Sequence, residues 1–316
     1  MTAPTLALCI PAYNAAAYLP RLLESARQQT QPFDEIWVYD DCSPDETSTV
    51  AKAYGAQVVR GETNKGCSYG KNALAAQTRC DWIHFHDADD ALYPQFVETA
   101  RAWMAKDPSP DVVLFDYEAR DHETDAKLYV RQFDDGALRQ DAIAYGIREQ
   151  INPFCGLYRR EALLKAGGYD LDPLVLYNED VAFHCRLAIA GLTFAAESTV
   201  TIINYCRANS MSSGNLNKCL RSQYHVMAKV ADQVSERYRP EIAQRLWDIA
   251  AVSAAHSDWE NADACVALAR KLAYAAPPRT SFWFQQICSL SPGLALRSRE
   301  YLIRWLKPHL RRQATA

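Results

Sequence analysis

The chain has 316 residues, of which 49% are hydrophobic and 23% are charged, and its formal net charge is −4 at pH 7. This composition is typical of a folded protein, and the length suits one large domain with an appendage. A slightly negative chain has no overall attraction to nucleic acid, so we expect no nucleic-acid partner.

The cysteines and the N-terminal stretch bear on the cellular compartment. The ten cysteines are scattered singly and form no Cys-x-x-Cys pair, which favours reduced, buried thiols over a disulfide framework or a zinc site. The first apolar run is too short for the hydrophobic region of a signal peptide, and no uncharged run approaches the length of a membrane span. We therefore expect a cytoplasmic protein.

Strands and helices alternate through the first part of the chain. Short apolar runs predict strands at residues 6–10, 36–39, 56–59, 82–86 and 112–115. Helical spacing and capping residues predict helices at 18–29, 44–54 and 68–77 and after Pro94. Such alternation implies right-handed crossovers and a Rossmann-like, mostly parallel sheet with helices on both faces.

The pattern is less regular beyond residue 116. Further strands are predicted at residues 128–133, 154–158 and 199–205, and helices at 160–166 and from Asn178-Glu179-Asp180 to 190. After about residue 217 the chain contains helical patterns only. We therefore predict an α/β domain at 1–216 and an all-helical C-terminal region at 217–316.

Polar residues follow the ends of three predicted strands. Asn14, Asp41 and the run Asp87-Ala88-Asp89-Asp90 each come directly after an apolar run. In sheets of this class, ligands bind beyond the carboxyl ends of the strands. We expect these residues to converge on one ligand site.

The run Asp87-Ala88-Asp89-Asp90 is the strongest candidate for a metal site. Clustered carboxylates are costly to bury without a cation. Mg²⁺ and Mn²⁺ prefer oxygen ligands and are commonly held by one or two carboxylates plus substrate phosphates. The alternative is a solvated acidic turn. His84 and His86 alternate along the preceding strand, where they either line the site or are satisfied by local hydrogen bonds.

Asp41, Tyr13 and Lys71 are candidates for nucleotide contacts. A carboxylate at the end of the second strand can accept a hydrogen bond from a base N–H or a ribose hydroxyl, although a helix-capping role is the alternative. The ring of Tyr13 suits packing against a base, but a core tyrosine is the rival interpretation. Lys71 follows the loop Asn64-Lys65-Gly66 and can reach a base or a phosphate. The chain has no Walker-type motif, which argues against nucleotide hydrolysis of the P-loop kind.

Taken together, five ordered motifs resemble those of family-2 glycosyltransferases. They are Ile10-Pro11-Ala12-Tyr13-Asn14, Asp40-Asp41-Cys42-Ser43-Pro44-Asp45, Asn64-Lys65-Gly66, Asp87-Ala88-Asp89-Asp90 and Asn178-Glu179-Asp180. The resemblance covers residues 5–213. It implies the GT-A fold, a nucleotide-sugar donor, Mn²⁺ or Mg²⁺ as cofactor, and inversion at the anomeric carbon.

The resemblance also implies a role for each matched position. Asp180 takes the place of the general base, and Asp90, with Asp89, that of the metal ligands. Glu179, Arg159 and Arg207 fall on the acceptor or diphosphate side. The implied contacts to the nucleotide sugar are Pro11, Tyr13, Asn14, Asp41, Lys71, Asp87 and Asp89.

Two departures from the family pattern affect these roles. Lys71 stands where the family often has arginine, so a two-pronged planar contact becomes a point charge. The segment at residues 205–210 lacks the histidine that often follows tyrosine-arginine in the family, and Arg207 is a candidate to replace it electrostatically.

The expected function is transfer of a sugar to a hydroxyl of a saccharide or lipid-linked acceptor, in cell-surface polysaccharide or glycolipid synthesis. UDP-sugars are the favoured donors, with GDP- and dTDP-sugars as alternatives. A sugar-phosphate nucleotidyltransferase is the enzymatic rival, but the first strand is not followed by the glycine-rich basic loop usual in that class. The non-catalytic rival is a carbohydrate-binding or scaffold protein.

The C-terminal stretch at residues 294–312 suggests a membrane contact. Leu302, Trp305, Leu306 and Leu310 can share one helical face, and six basic residues supply positive charge. A basic amphipathic helix of this kind can lie on an anionic membrane, which would place the protein on the inner face of the cell membrane. The alternative is a terminal helix docked on the rest of the protein, and Pro308 is expected to interrupt the helix in either case.

Overall fold

The computed structural model describes residues 3–106, 108–207 and 214–312. Nine strands form one sheet in these ranges: β1 Leu6–Ala12, β2 Glu35–Asp40, β3 Gln57–Arg60, β4 Trp82–Phe85, β5 Ala91–Leu92, β6 Val112–Asp121, β7 Lys127–Arg131, β8 Gly156–Arg159 and β9 Phe194–Cys206.

The helices fall between the strands and then follow them. They are α1 Leu19–Arg27, α2 Thr47–Ala53, α3 Cys67–Gln77, α4 Phe96–Met104, α5 Asp135–Gln140, α6 Ala142–Arg148, α7 Arg160–Lys165, α8 Glu179–Ile189, α9 Leu216–Gln233, α10 Arg239–Ala255, α11 Trp259–Lys271, α12 Phe282–Leu290, α13 Pro292–Leu306 and α14 His309–Arg312.

The strand order in the sheet is β3-β2-β1-β4-β8-β6-β9-β5, with β7 paired to β6. The first four strands are mutually parallel, and β8 joins β4 and β6 by antiparallel pairing on both sides. Because β9 is parallel to β6, six strands run in one direction, and β5, β7 and β8 run against them. The predicted mostly parallel α/β sheet of GT-A type is therefore confirmed, with an antiparallel component that the sequence pattern did not indicate.

Strand β1 lies between β2 and β4 in the interior of the sheet. An interior strand covered on both faces needs a continuous apolar sequence. Leu6 through Ile10 are fully buried, so both faces of this strand are covered. The helix that follows buries Leu19, Leu22 and Leu23 on one side, which is the spacing of an amphipathic helix. This core holds the carboxyl ends of β1, β2 and β4 at fixed positions.

Unusual backbone conformations occur directly after β1 and β2. Asn14 has φ of 51° and Cys42 has φ of 61°, both in the left-handed region. Asparagine tolerates that region well, but cysteine rarely adopts it. Gly66 precedes α3 with φ of 87°, and Gly70 lies so close to Tyr39 that a Cβ would be 2.8 Å from its Cδ1 atom. These residues let the start of α3 approach the ends of β1 and β2.

Strands β6 and β9 are longer than their apolar runs predict. The buried carboxylates of Asp116 and Glu118 continue β6 beyond Phe115, because each carboxylate has partners. Asp116 accepts a hydrogen bond of 2.8 Å from the N–H of Phe133. Glu118 forms ion pairs with Arg120 and Lys127. Their charges are therefore compatible with a strand interior.

Backbone contacts divide the chain into two compact units. One contains Met1–Tyr145, Gln150–Leu171 and Phe183–Ser210, and the other contains Gly146–Glu149, Asp172–Ala182 and Met211–Ala316. The first unit carries the sheet. The second is helical, as expected for the C-terminal region, but it also includes the segment that begins α8. The predicted domain boundary at 216/217 remains a prediction.

The helical unit is held by ion pairs between its helices. Asp258 caps α11 by accepting from the N–H of Asn261 and pairs with Arg221 of α9. Arg297 of α13 pairs with Asp263 of α11 at 2.7 Å. The chain leaves the helical conformation between Leu306 and His309, where Pro308 predicts a break. Within the described ranges, none of the helices combines the length and apolar character that a membrane span needs.

Candidate active site

Asp41 lies at the carboxyl end of β2 and organises the loop before α3. Its side chain is buried and accepts hydrogen bonds from the N–H groups of Lys65 at 2.8 Å and Gly66 at 2.7 Å. Each carboxylate oxygen has a second lone pair that these bonds leave available. The neighbouring Asp40 has a structural role instead, since its carboxylate bonds to Ser43, Ser48 and Arg60.

The end of β1 presents an aromatic ring beside this turn. Tyr13 is 54% exposed, so it is not the core tyrosine that the sequence left as an alternative. Pro11 is half-buried in β1, and the N–H of Asn14 donates to Ser43 Oγ at 3.0 Å. That hydrogen bond ties the β1 turn to the β2 turn, and so holds Tyr13 near the turn that carries Asp41.

Lys71 connects this region to the acidic run after β4. Its side chain is 3% exposed, and Nζ lies 3.7 Å from Asp87 Oδ1. The same ammonium lies 5.3 Å from the centre of the Tyr169 ring. Asn72, the next residue of α3, bonds to the backbone N–H and C=O of Tyr169. The first half of α3 therefore bridges the ends of β2 and β4.

Asp89 pairs with Arg207, the last residue described before the gap at 208–213. Burial and the nearby charge of Asp87 raise the pKa of the Asp89 carboxyl, and Arg207 opposes that rise. The Arg207 guanidinium also lies 4.4 Å from the centre of the Tyr18 ring. The cationic role predicted for Arg207 thus has a geometric basis, although the rest of the segment that lacks the family histidine lies outside the described residues.

Asp90 is fully buried and is bound to strand β9. Its carboxylate accepts from the side-chain amide of Asn204 and from the N–H of Tyr205, the latter at 2.7 Å. Burial, together with the charges of Asp89 and Asp87, raises the pKa of this carboxyl well above its usual range. These contacts support a positioning role for Asp90, so Asp89 and Asp87 are better placed than Asp90 to offer oxygen atoms to a ligand.

The two histidines of β4 are committed to the core. His84 Nδ1 lies 2.9 Å from the carbonyl oxygen of Gly156, and His84 Nε2 lies 2.9 Å from His86 Nδ1. Burial lowers the pKa of both rings, for His86 to about 3. Both imidazoles are therefore neutral at physiological pH. Local hydrogen bonds satisfy both ring nitrogens of His84, whereas the buried Nε2 of His86 has no hydrogen-bond partner among the described residues.

The assignment of Arg159 to the acceptor or diphosphate side remains a prediction, and its contacts lie away from Asp87. Arg159 pairs in register with Trp82, the first residue of β4, whereas Asp87 follows the last. At about 3.3 Å per residue, these positions lie roughly 10 Å or more apart along the strand. Its guanidinium pairs with Asp111 at 3.2 Å and stacks over the Trp82 ring. These contacts hold Arg159 at the amino end of β4, whereas Asp87 follows the carboxyl end of that strand.

Glu179 and Asp180 open α8 in the helical unit. Glu179 is buried and Asp180 is half-buried. Two acidic side chains in the first turn also suit the positive end of the helix dipole. The assignment of Asp180 as general base, and of Glu179 to the acceptor side, remains a prediction.

The donor set at the end of β4 fits a hard divalent cation. Within residues 3–106, 108–207 and 214–312, no group of three or more histidine, cysteine or acidic side chains is arranged to hold a metal. Mg²⁺ and Mn²⁺ need only one or two carboxylates when substrate phosphates and water supply the other oxygens. Burial and the charge of Asp87 raise the pKa of Asp89, so its ionised form is disfavoured when no cation is bound. A divalent cation would stabilise that ionised form.

Sequence reasoning assigned no role to several residues that shape this site. Asn204 and Tyr205 fix Asp90, Tyr169 lies beneath Lys71, and Cys42 turns the chain after Asp41. Only the position of Asn204 and Tyr205 in a predicted late strand gave a hint. The contacts of Tyr169 and the backbone of Cys42 depend on tertiary packing and leave no signal in the local pattern.

Relatives with similar sequences include glycosyltransferases. A Haemophilus influenzae protein described as an uncharacterized glycosyltransferase is 28% identical over 250 residues, covering 77% of this chain and 81% of the relative. Escherichia coli chondroitin synthase is 34% identical over 110 residues, which is 34% of this chain and 16% of the synthase.

Two solved structures have a similar fold. Staphylococcus aureus TarS 1–349 in complex with UDP-GlcNAc matches with a TM-score of 0.72 at 18% identity, over 95% of this chain and 92% of that one. The Pyrobaculum calidifontis mannosyltransferase PcManGT, in complex with GDP-Man and Mn²⁺, matches with a TM-score of 0.62 at 17% identity, over 100% and 84%. At these identities the likeness establishes the fold alone.

The family profile described as Glycosyl transferase family 2 matches residues 7–167, which is just over half of the chain. The matched segment contains the ends of β1, β2 and β4 and all of α3. The chain therefore belongs to glycosyl transferase family 2.

Proposed function

We propose that this glycosyltransferase moves a sugar from a nucleotide-sugar donor to an acceptor hydroxyl, with inversion at the anomeric carbon. One observation carries the proposal: the start of α3 links Asp41 after β2 to Asp87 after β4, through the loop N–H groups at one end and Lys71 at the other. A site for a nucleoside diphosphate needs a hydrogen-bond acceptor for the base at one end and charged partners for the phosphates at the other.

Asp41 and Tyr13 form the nucleoside end of the proposed site. A buried carboxylate can accept from the single ring N–H of uracil, and the exposed ring of Tyr13 can pack beside the base. UDP-sugars are thus the favoured donors, and GDP- and dTDP-sugars are the alternatives. UDP-GlcNAc and GDP-Man are bound by the two structural relatives.

Asp89, Asp87, Lys71 and Arg207 form the diphosphate end. Asp89 and Asp87 would hold Mn²⁺ or Mg²⁺, with the diphosphate supplying further oxygens. When bound, a divalent cation supplies Lewis-acid neutralisation of the charge on the leaving diphosphate. Lys71 and Arg207 add fixed positive charge beside these carboxylates. Asp90, bound to Asn204 and Tyr205, keeps the acidic run in place.

Asp180 is the proposed general base in a single displacement. The acceptor oxygen bonds to the anomeric carbon as the bond from that carbon to the diphosphate oxygen breaks, and the hydroxyl proton passes to the Asp180 carboxylate. A base in this role contributes roughly 10²–10⁴-fold in rate. Holding the donor and the acceptor close together in the reactive orientation supplies much of the remaining acceleration.

A saccharide or lipid-linked acceptor in polysaccharide or glycolipid synthesis fits the family. The relationship to chondroitin synthase, which covers a third of this chain, supports a saccharide acceptor. The cytoplasmic location that the sequence predicts is likewise a proposal.

Donor screening by thermal unfolding tests the proposal. UDP-, GDP- and dTDP-sugars are compared with and without Mn²⁺, and a donor at a hundredfold excess over Kd should stabilise the protein by roughly 2.7 kcal/mol. The donor that binds is then incubated with candidate acceptors, and release of the nucleoside diphosphate is measured. No stabilisation by any nucleotide sugar contradicts the proposal. Pyrophosphate release from an NTP and a sugar 1-phosphate would support a nucleotidyltransferase instead.

A further inference from the structure

The last helices expose an unusual amount of apolar surface. Trp283 and Leu290 of α12 are 77% and 89% exposed, and Trp305 of α13 is 70% exposed. The other large apolar side chains exposed in this segment are Phe282, Ile287, Leu294, Tyr301, Leu302, Leu306 and Leu310. Contiguous exposed apolar surface of this kind marks an interaction site, whereas single exposed side chains do not.

Helix α13 has one face docked on its own unit and an apolar face opposite. Leu296 and Glu300 are buried, and Arg304 on the same side donates to the carbonyl of Ala254 in α10. At about 100° per residue, Leu302 and Trp305 lie roughly opposite Glu300. The outer face of a docked terminal helix is ordinarily polar, so a second partner is expected for this face.

An open apolar groove lies between α12 and α13. It has a volume of about 320 Å³, and most of its lining is apolar, including Ile287, Ala295, Leu302 and Leu306. Arg299 and Lys307 also line it. Neither takes part in an ion pair with any residue that the structure describes. The groove therefore combines apolar walls with two cations that have no ion-pair partner in the part of the chain that the structure describes.

The charge of this segment is opposite to that of the rest of the chain. Residues 277–316 contain seven arginines and lysines against one glutamate, a net charge of +6, whereas the whole chain carries −4. The preceding 276 residues therefore carry −10. A symmetric dimer through this segment would bring two strongly cationic faces together, so charge disfavours self-association of this face. An anionic surface is the complementary partner.

We propose that the α12–α13 face, with the groove between the two helices, binds the surface of an anionic phospholipid membrane. Trp283, Tyr301 and Trp305 are the residue types that favour the membrane–water interface, and the leucines would enter the acyl boundary. Arg299 and Lys307 would contact the headgroup phosphates. Membrane binding and sugar transfer are separate properties, so either can fail without the other.

Vesicle flotation of the full-length protein tests this proposal. Vesicles of phosphatidylcholine alone are compared with vesicles that contain phosphatidylcholine and the anionic lipid phosphatidylglycerol in about a 2:1 ratio. We expect binding to the anionic vesicles only, weakening as the salt concentration rises. Arg299→Gln/Lys307→Gln should weaken partitioning about 30-fold, since each cation near such a surface contributes about a fivefold effect. Trp283→Ser/Trp305→Ser should abolish flotation.

Matched variants separate the face from general effects of charge or hydrophobicity. Lys52→Gln/Lys165→Gln removes two exposed cations elsewhere, and Leu128→Ser/Tyr129→Ser removes two exposed apolar side chains on β7. Both should float like the unmodified protein, and circular dichroism should show that all four variants are folded. Equal flotation of the Trp283/Trp305 variant overturns the proposal. The proposal is also overturned if light scattering shows a concentration-dependent dimer of the unmodified protein and Trp283→Ser/Trp305→Ser dissociates that dimer.

Discussion

The guanidinium of Arg207 pairs with the carboxylate of Asp89 and lies 4.4 Å from the centre of the Tyr18 ring. Asp89 also experiences the charge of Asp87, and its pKa is raised by burial and by that neighbour. Arg207 is thus a built-in cation beside the carboxylates proposed to hold the metal. It offsets part of their mutual repulsion before any ligand binds.

Replacing Arg207 should affect metal binding and transfer in opposite directions. Arg207→Gln removes a positive charge that competes with the divalent cation, so Mn²⁺ alone should bind roughly two- to fivefold more tightly at pH 8, as expected for a partly exposed ion pair. Transfer should slow, because the diphosphate loses a positive partner. Calorimetry with Mn²⁺ and steady-state kinetics measure the two effects.

Arg21→Gln is the matched control for this experiment. Arg21 stacks on the Tyr205 ring at 4.0 Å and is exposed, so its loss removes an equal charge without touching Asp89. Its Mn²⁺ affinity should stay unchanged. Parallel changes in both variants would show a general charge effect and would contradict a specific role for Arg207.

Asp89 and Asp90 should differ in what their substitution disrupts. Asp89→Asn is expected to remove the Mn²⁺ dependence of donor binding while leaving thermal stability nearly unchanged. Asp90→Asn places an amide against the donor groups of Asn204 and Tyr205, and should lower the free energy of unfolding by about 1–3 kcal/mol. Thermal unfolding and donor titration with and without Mn²⁺ distinguish the two. If Asp90→Asn removes the Mn²⁺ dependence of donor binding without lowering the free energy of unfolding, Asp90 is a metal ligand, as the sequence predicts.

The sequence predicts the first half of the sheet well because its strands are continuous apolar runs. Leu6–Ala12 and Trp82–Phe85 are buried on both sides and end in polar turns, so pattern alone identifies them. The two-residue strand β5 and the charged end of β6 leave no such pattern. They exist because β9 and β7 supply their partners, which is tertiary information.

Predictions for the site succeed where strand ends determine the position. Asp41 follows β2 and Asp87 follows β4. Because these strands are parallel, both residues lie at the carboxyl ends of the strands, where α3 links them. The surroundings of Arg159 could not be predicted, because β8 runs antiparallel to β4 and so carries this residue to the amino end of that strand. The carboxylate orientations of Asp89 and Asp90 depend on Arg207 and Asn204, more than a hundred residues away along the chain.

Asp41→Asn should weaken donor binding, whereas Asp40→Asn should weaken the fold. Asp41 holds the loop before α3 and offers its remaining lone pairs to the base, so losing a charged acceptor should weaken donor binding roughly tenfold or more. Asp40 bonds to Ser43, Ser48 and Arg60, so its substitution removes hydrogen bonds within the fold. Donor titration and urea unfolding of both variants should give opposite rankings, and equal donor affinity in the two would contradict the role of Asp41.

Asp180→Asn should abolish transfer without abolishing donor binding. An amide cannot take the acceptor proton, so kcat should fall by roughly 10²–10⁴-fold while the thermal shift with donor and Mn²⁺ persists. Glu179→Gln, one residue earlier in the same helical turn, is the comparison. A larger loss of kcat in Glu179→Gln than in Asp180→Asn would move the proposed base to Glu179.

Glu300 should make the helical unit sensitive to acid. Its buried carboxylate pairs with Arg304 and Arg311, both at 2.8 Å. Burial alone would raise its pKa, but the hydrogen bonds from the two arginines outweigh burial, and the pKa is lowered. A carboxyl with a lowered folded-state pKa stabilises the fold above its unfolded pKa, which is about 4.3, and that contribution is lost as the pH falls through the folded value.

Glu300→Gln should therefore lower the free energy of unfolding by about 1–3 kcal/mol at pH 7, with a difference that shrinks below about pH 4.3. Urea unfolding of both proteins from pH 7 to pH 3.5, followed by circular dichroism, measures the difference. Glu260→Gln is the control, because Glu260 is exposed and its pair with Arg221 lies at the surface. A Glu300→Gln difference that stays constant down to pH 3.5 would show that packing, and not the charge of the carboxylate, holds α13 and α14 to the unit.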